Sequence, residues 1–402
     1  MVRVGIIADD LTGAMDTGAQ FARRGLDTLV ALSRDGYPEA SVVAVSTDSR
    51  VEPAAEAYRR ALDAAQQLGR CLVYKKIDST VRGNIGAELD GVLDGLRTDR
   101  ALVAPAFPEA GRTTTGGLHC VNGVPVADTV FGRDPNAPVL ASHLPTLLAG
   151  QTRRRVGHLP LRIVEQGDQA VVNALNAEPA GVVVADAVER RHLRALGRAL
   201  VQATEPWLPC GSAGLAAEWA PGPDLGQADL TQPGWPPMSG PVLVIAGSRH
   251  PLTAAQLRCA ETEGHLTCVG LGLSVDREAA SLEKVLAALG QGANVALTTT
   301  FSAFEIGAEG SFAARLAHAA KRIIGQVQLA GLVITGGDVL RAVSHALGAR
   351  ALRVLREVEP GVPAGIWVGG PVHGSRVVTK AGGLGDEWAI ERSIRLIRGG
   401  FT

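Results

Sequence analysis

Lys75-Lys76-Ile77-Asp78-Ser79-Thr80-Val81-Arg82-Gly83-Asn84 gathers ammonium, guanidinium, carboxylate, hydroxyl and amide groups into one short run. The apolar residues before it, Cys71-Leu72-Val73-Tyr74, read as a buried strand, and the spacing of Ile85-Gly86-Ala87-Glu88-Leu89-Asp90-Gly91-Val92-Leu93 suits a helix. A strand that delivers such a cluster to a helix start forms a ligand seat in an α/β sheet. The unpaired N–H groups and positive dipole end favour an anion there, and the crevice at the carboxyl ends of the strands supplies room. Lys75, Lys76 and Arg82 offer countercharge, while Asp78, Ser79 and Asn84 offer partners for hydroxyls. The stretch predicts a site for a small, polar, anionic molecule. Lys-Lys before a turn is also an ordinary solvated edge, and Asp-Ser-Thr an ordinary capping string, so the neighbouring strand ends must decide.

Two of them point the same way. Val2 to Ala8 is an apolar run broken only by Arg3 and Gly5; a loop from Asp9 to Gly18 and a helical pattern from Phe21 to Arg24 follow. Asp9 and Asp10 repel one another unless a cation or a substrate hydroxyl uses them. Leu29–Leu32 and Ser41–Ser46 read as further strands around a polar turn at Arg34-Asp35-Gly36, and the second ends in Thr47-Asp48-Ser49-Arg50. Arg50 is a candidate fork for a substrate carboxylate, which a guanidinium grips with two parallel bonds. Strand ends carrying such clusters line one edge of a parallel sheet. After the strand Ala101–Ala104, residues 105–138 hold too many Gly, Pro and polar residues for a long helix or a regular sheet. They include an Asn122-Gly123 hairpin signal between Leu118–Val121 and Val124–Val126. His119 lies in that hairpin, where a lone histidine is more often structural than catalytic.

The whole chain sets the bounds. Its 402 residues with 46% hydrophobic content favour more than one domain with real cores. The 39 Lys plus Arg against 40 Asp plus Glu leave a net charge of -1, without the basic surface that nucleic acid requires. Cys71, Cys120, Cys210, Cys259 and Cys268 form no CxxC pair, so neither a disulfide framework nor a zinc knuckle is expected. The acidic start lacks the apolar core of a signal peptide, and no later run reaches membrane-spanning length, so a reducing cytoplasm is expected. Aromatic content of 4% beside 49 glycines implies cores of Ala, Val and Leu with many tight turns.

Strand and helix patterns alternate again from Leu159 to Ala220, and Pro221 to Gly240 is dense in Gly and Pro. The expected fold class is α/β with two domains, each a mostly parallel sheet flanked by helices: residues 1–220, a linker at 221–240, and residues 241–402. The second domain opens with the strand Pro241–Ala246 and the loop Gly247-Ser248-Arg249-His250-Pro251. Gly331–Ile334 delivers Thr335-Gly336-Gly337-Asp338 to a helix from Val339 to Leu347, and Gly382-Gly383-Leu384-Gly385-Asp386 follows Val377–Lys380. Three strand-to-glycine loops, without GxGxxG spacing and without a GxxxxGK[ST] P-loop, predict a mononucleotide whose phosphates rest on backbone amides.

These motifs together carry a resemblance. Ala8-Asp9-Asp10-Leu11-Thr12-Gly13-Ala14 with Asp16-Thr17-Gly18, Lys76 to Asn84, Ala104-Pro105-Ala106-Phe107-Pro108 and Thr335-Gly336-Gly337-Asp338 resemble, in the same order over almost the whole chain, the four-carbon acid sugar kinase family. The resemblance implies an N-terminal substrate domain and a C-terminal nucleotide domain. It implies ATP-dependent phosphorylation of the terminal hydroxyl of D-threonate, D-erythronate or 3-oxo-tetronate. Its substrate positions fall on Asp10, Arg50, Lys76, Asp78, Ser79 and Arg82, and its ATP positions on Ser248, Gly336, Gly337, Asp338, Gly382 and Gly383. Asp10 and Asp78 are the alternative groups to orient the attacking hydroxyl and take its proton, and Asp338 is the rival base or a holder of magnesium. Phosphoryl transfer brings Mg2+ on the ATP phosphates, although no protein ligand set for a metal is legible.

Two other classes fit parts of the pattern. A NAD-dependent sugar-acid dehydrogenase would carry the Rossmann fingerprint with an acid about 20 residues on, which is absent. A non-catalytic sugar-acid or nucleotide-binding protein would have no use for the C-terminal glycine loops. The expected partners are a small sugar acid and ATP, with no nucleic acid and no membrane. A homodimer is the default oligomer of a soluble enzyme.

Overall fold

The structure, a computed structural model, describes residues 2–32, 39–179, 181–222, 235–272, 274–299 and 309–400. The turn expected at Arg34-Asp35-Gly36 and residues 223–234 of the expected linker lie outside the described residues. The chain divides into two compact units, Met1–Leu29 with Pro38–Asp229, and Val30–Tyr37 with Leu230–Thr402. A short piece of the first half thus groups with the second, which a boundary drawn along the sequence does not include.

The first unit holds strands β1 (Val4–Ala8), β3 (Val42–Ser46), β4 (Leu72–Lys76), β5 (Arg100–Ala104), β6 (Arg112–Thr115), β7 (Leu118–Val121), β8 (Val124–Pro125), β9 (Val156–Leu159), β10 (Gly181–Ala185) and β11 (Leu208–Gly211), while the boundary between the units falls within β2 (Thr28–Ala31). The order β3-β1-β4-β11-β5-β10-β9 is parallel throughout. Apolar runs such as Val4–Ala8 and Gly181–Ala185 are buried along their length, as strands covered on both faces must be. Register levels the strand ends: Ala8 stands opposite Ser46 and Lys76, and Gly211 opposite Lys76 and Ala104. The residues that follow therefore emerge along one edge.

Two local expectations change. The first helix runs Leu11–Ala22, beginning directly after Asp10 and not beyond Gly18. Asp10 caps it by accepting the Gly13 N–H, and every residue of the helix is buried. A helix covered all round has no polar stripe to display, so Thr12, Asp16 and the glycines mimic a loop. The irregular segment contains a small antiparallel sheet of β6, β7 and β8. Its turn at Asn122 (φ 51°) and Gly123 (φ 80°) uses the two positive dihedrals that an Asn-Gly hairpin supplies.

The second unit holds β12 (Val242–Ala246), β13 (Thr267–Gly270), β14 (Val295–Thr298), β15 (Gly331–Thr335), β16 (Ala351–Glu359), β17 (Val362–Val368) and β18 (Arg376–Lys380). The run β13-β14-β12-β15-β18 is parallel, and β17 pairs antiparallel with both β18 and β16. Its core gathers Val242, Val244, Val333, Val378, Ile390 and Ile394 between sheet and helices. Ala246, Thr335 and Lys380 are level, so three loops leave this sheet side by side as well.

Helix Ala54–Leu68 lies against helix Ile85–Leu96, which carries the end of the Lys75–Asn84 stretch. A Cβ on Gly91 would fall 2.3 Å from the Tyr58 carbonyl oxygen and 3.0 Å from the Leu62 nitrogen. Gly91→Val is expected to destabilise the first unit by about 1–3 kcal/mol through overpacking, read as a lower urea midpoint. An unchanged midpoint would mean that the helices part freely.

Candidate active site

The Lys75-Lys76 pair ends β4, where successive side chains face opposite sides. Lys75 turns inward and is fully buried: Nζ donates to Glu88 Oε2 at 2.6 Å and to the Lys76 carbonyl at 2.9 Å. Ser49 donates to the other Glu88 oxygen at 2.7 Å, and the Ser49 and Thr47 hydroxyls lie 2.6 Å apart. Burial opposes the charge on Lys75, yet the Glu88 carboxylate holds it above the ordinary lysine value. Lys75 is thus no countercharge for a ligand, contrary to expectation, because Glu88 already takes it. Lys76 faces the other way and is 3% exposed, and no hydrogen bond or ion pair reaches its ammonium among the described residues. A Cβ on Gly13 would fall 2.8 Å from Lys76 Nζ and 2.7 Å from Asp10 Oδ1, so Gly13 keeps that space open.

Arg50 joins the adjacent acids, with Nε 2.6 Å from Asp9 Oδ2 and a terminal nitrogen 2.9 Å from Asp10 Oδ1. Asp10 also accepts from Gly13 N at 2.8 Å and from the Thr12 hydroxyl. Its burial opposes ionisation, but Arg50, then Lys76 and the Thr12 hydroxyl, hold it below the usual carboxylate range. Asn84, expected to meet substrate hydroxyls, instead donates to the Ser49 and Glu52 carbonyls at 3.0 and 2.7 Å. It fastens the loop that carries Arg50.

Asp78 Oδ2 accepts Arg82 Nε at 2.6 Å and the Thr80 hydroxyl, and no hydrogen bond reaches Asp78 Oδ1 among the described residues. Burial pushes its carboxyl up, but Arg82 and then Arg50 hold it well below the usual range. Between Asp78 and Arg82, the β-branched Val81 takes φ +57° while buried, a conformation that costs of order 1–3 kcal/mol and collects at functional sites. Ser79 is half-buried, and its carbonyl lies 2.8 Å from His119 Nε2. Burial drives the His119 pKa down to about 4, so the neutral ring pins Ser79 in place. Asp134 and Phe131 escaped the sequence reading: Arg82 bonds Asp134 Oδ2 at 3.0 Å and lies over the Phe131 ring at 5.3 Å. Their signal was only a polar turn far along the chain. Asp10, Arg50, Lys76, Asp78 and Arg82 therefore share one sheet edge, with Ser79 beside them.

In the second unit the three expected loops meet. Ser248 follows β12, Gly336 follows β15 with φ +104° and opens the helix Gly337–Ala346, and Gly382-Gly383 follow β18. A Cβ on Gly336 would lie 3.5 Å from Ser248 N, and one on Gly382 would overlap Ser248 Oγ at 2.0 Å. One on Gly383 would stand 3.2 Å from His250 Nε2. Asp338 lies on the first turn of that helix, mostly exposed and 3.2 Å from Arg341. Among the described residues no three His, Cys, Asp or Glu side chains cluster to hold a metal, and no helix is long and apolar enough to cross a membrane.

Residues 4–219 match the family described as a sugar-binding N-terminal domain, and residues 243–390 the one described as a nucleotide-binding C-terminal domain. A D-threonate kinase of Salmonella typhimurium is 35% identical over 95% of this chain and 95% of its own. A D-erythronate kinase of Heliobacterium modesticaldum is 35% identical over 96% and 95%. The crystal structure of a Salmonella typhimurium LT2 chain, solved as a candidate tRNA synthase, is similar with TM-score 0.80 at 26% identity, covering 98% of this chain and 99% of that one. A sugar-binding and a nucleotide-binding half, each with its loops at the sheet edge, define a sugar acid kinase. The chain belongs to the four-carbon acid sugar kinase family.

The depressed Asp78 carboxyl gives a pH signature. Its folded value lies below its unfolded value of about 4, so its stabilisation is complete above that pH and is lost as pH falls through the folded value. Asp78→Asn is expected to be less stable than the parent at neutral pH and to lose less of its stability on acidification. Urea midpoints between about pH 3 and pH 7 check this.

Proposed function

We propose that this protein transfers the γ-phosphoryl group of ATP to the terminal 4-hydroxyl of a four-carbon sugar acid, of the D-threonate, D-erythronate or 3-oxo-tetronate type. The observation that carries this is Lys76, a buried ammonium with no hydrogen bond or ion pair among the described residues, whose charge acts on the Asp10 and Asp78 carboxylates. An ammonium whose N–H donors go unmet in a buried site is costly, and a substrate carboxylate would accept from them. The relatives named D-threonate kinase and D-erythronate kinase support this substrate class. Arg50, already spread across Asp9 and Asp10, holds the acids in place.

Phosphoryl transfer needs positioning and charge neutralisation more than a strong base. Asp10 and Asp78 are both held ionised and so are weak bases, suited to accept a hydrogen bond from the attacking hydroxyl. Asp78 is favoured over Asp10, since its Oδ1 is uncommitted while both Asp10 oxygens are engaged. The hydroxyl proton passes to Asp78 Oδ1 as the bond from the hydroxyl oxygen to the γ-phosphorus forms and the bond from that phosphorus to the departing ADP oxygen breaks. In the second unit the Gly336-Gly337 helix start and the Gly382-Gly383 loop bind the phosphates through backbone amides. Magnesium, when bound with ATP, neutralises the phosphate oxygens. Asp338, exposed on the first turn of that helix, would be the carboxylate to hold it, as suits an ion that keeps most of its waters. With all five cysteines unpaired, we place the protein in a reducing cytoplasm.

ADP release with magnesium and ATP, against a panel of four-carbon acids, D-glycerate and neutral tetroses, tests the activity. Turnover on an acid and none on its neutral analogue is expected; silence across the panel with ATP still bound would overturn the substrate assignment. Lys76→Met is expected to raise the KM for the acid by about tenfold to a hundredfold, as for a lost charged hydrogen bond, with the KM for ATP unchanged. Asp78→Asn is expected to lose kcat while binding both ligands. If Asp338→Asn alone loses turnover and raised magnesium does not restore it, the proton acceptor is Asp338 instead.

A further inference from the structure

Lys380 ends β18 and is buried, with 1% of its surface exposed. Its ammonium donates inward to the carbonyls of the next two residues, Ala381 at 3.0 Å and Gly382 at 3.4 Å. The Thr253 hydroxyl donates to the same Gly382 carbonyl at 3.2 Å, and Gln256 donates to the Leu384 and Asp386 carbonyls at 3.2 and 2.7 Å. Side chains from one helix, Pro251–Thr262, and from the end of β18 thus hold a row of loop carbonyls to the interior. In a planar trans peptide the N–H points opposite to the C=O it is bonded to. Drawing the Ala381 and Gly382 carbonyls inward therefore turns the amides of Gly382 and Gly383 outward. Successive outward amides form an anion-binding concavity. A side chain at Gly382 would collide with Ser248 Oγ and close the approach.

We propose that Lys380 is a positioning residue for the nucleotide phosphates: it orients the peptide planes of Ala381-Gly382-Gly383 so that the amides face the phosphate chain. This rests on the nucleotide role proposed above. The lysine itself stays beneath the loop and touches the backbone alone. The charged group that acts on it is Glu359 at the end of β16, itself bridged to Arg392 and accepting from Asp386 N at 3.2 Å. Burial brings the Lys380 pKa down to about 7, with Glu359 pulling the other way. The charge that strengthens both carbonyl bonds is lost as pH rises through that value, and so is part of the loop's order.

Calorimetric titration of magnesium-ATP into the full-length protein tests this. Lys380→Met is expected to weaken binding about tenfold or more, as for lost charge-assisted bonds. The KM for the sugar acid should stay constant, and Tm should be unchanged or higher because a buried charge has been removed. Thr253→Val, which keeps the lysine, is expected to weaken ATP binding by a smaller factor in the same direction. In the parent, ATP affinity falls between about pH 6 and pH 8, on either side of the Lys380 value of about 7, and in Lys380→Met it does not follow that step. Parent-like ATP affinity in Lys380→Met, or a joint loss of both substrates with a falling Tm, would overturn the proposal. A parent protein that binds no magnesium-ATP would instead overturn the nucleotide assignment itself, and this inference with it.

Discussion

Two carboxylates at adjacent positions after β1 stand together because one guanidinium bridges them. Arg50 spans Asp9 and Asp10 at 2.6 and 2.9 Å, and Asn84 and Ser49 fix the loop that brings it there. Without that bridge the two anions would repel one another in a site screened from water, where Coulomb energies are several times larger than at the surface. With it, the edge of the sheet carries a pre-set pattern of charge, and Lys76 is a cation there that no hydrogen bond or ion pair engages among the described residues. The strand register that levels Ala8, Ser46 and Lys76 allows this, since a slip of one residue would send Lys76 inward and Lys75 out.

Behind that edge, Lys75 and Glu88 form a buried pair whose oxygens are also bonded by Ser49. Breaking such a pair from one side is strongly destabilising, about 3–5 kcal/mol, because a bare charge remains. The pair therefore acts as a rigid back wall on which the working residues of the neighbouring turns rest. Val81 fits the same picture: its left-handed backbone lets Arg82 turn back onto Asp78, and the surrounding contacts hold it there.

On the function proposed above, the two units would recognise anions by different means. In the first, charged side chains are arranged around an ammonium, a scheme that discriminates by the placement of each group on a small ligand. In the second, the glycine loops would offer backbone amides, and the nearby lysine is spent on carbonyls. Backbone amides bind phosphate oxygens with little regard to what they are attached to, which suits the half that matches a nucleotide-binding domain.

Much of this was legible from local pattern. Apolar runs such as Val4–Ala8 and Gly181–Ala185, and the Asn122-Gly123 turn, report conformations set by neighbours in sequence, and the motif residues name the chemistry at each strand end. The start of the helix at Leu11 was hidden because burial on every side erases the periodicity that marks a helix. What each charged group does was not legible either. Which of Lys75 and Lys76 faces the ligand depends on which face of β4 is covered, and Glu88 decides that. That Arg82 meets Asp134, that Asn84 serves a loop, and that Lys380 points beneath the glycines are pairings across the fold. The sequence by itself determined the strands, the loops and the kinds of group they carry, since those follow from periodicity and turn chemistry. Tertiary structure alone decided which charges neutralise one another and which are left over, because Coulomb and hydrogen-bond partners are chosen by distance in space.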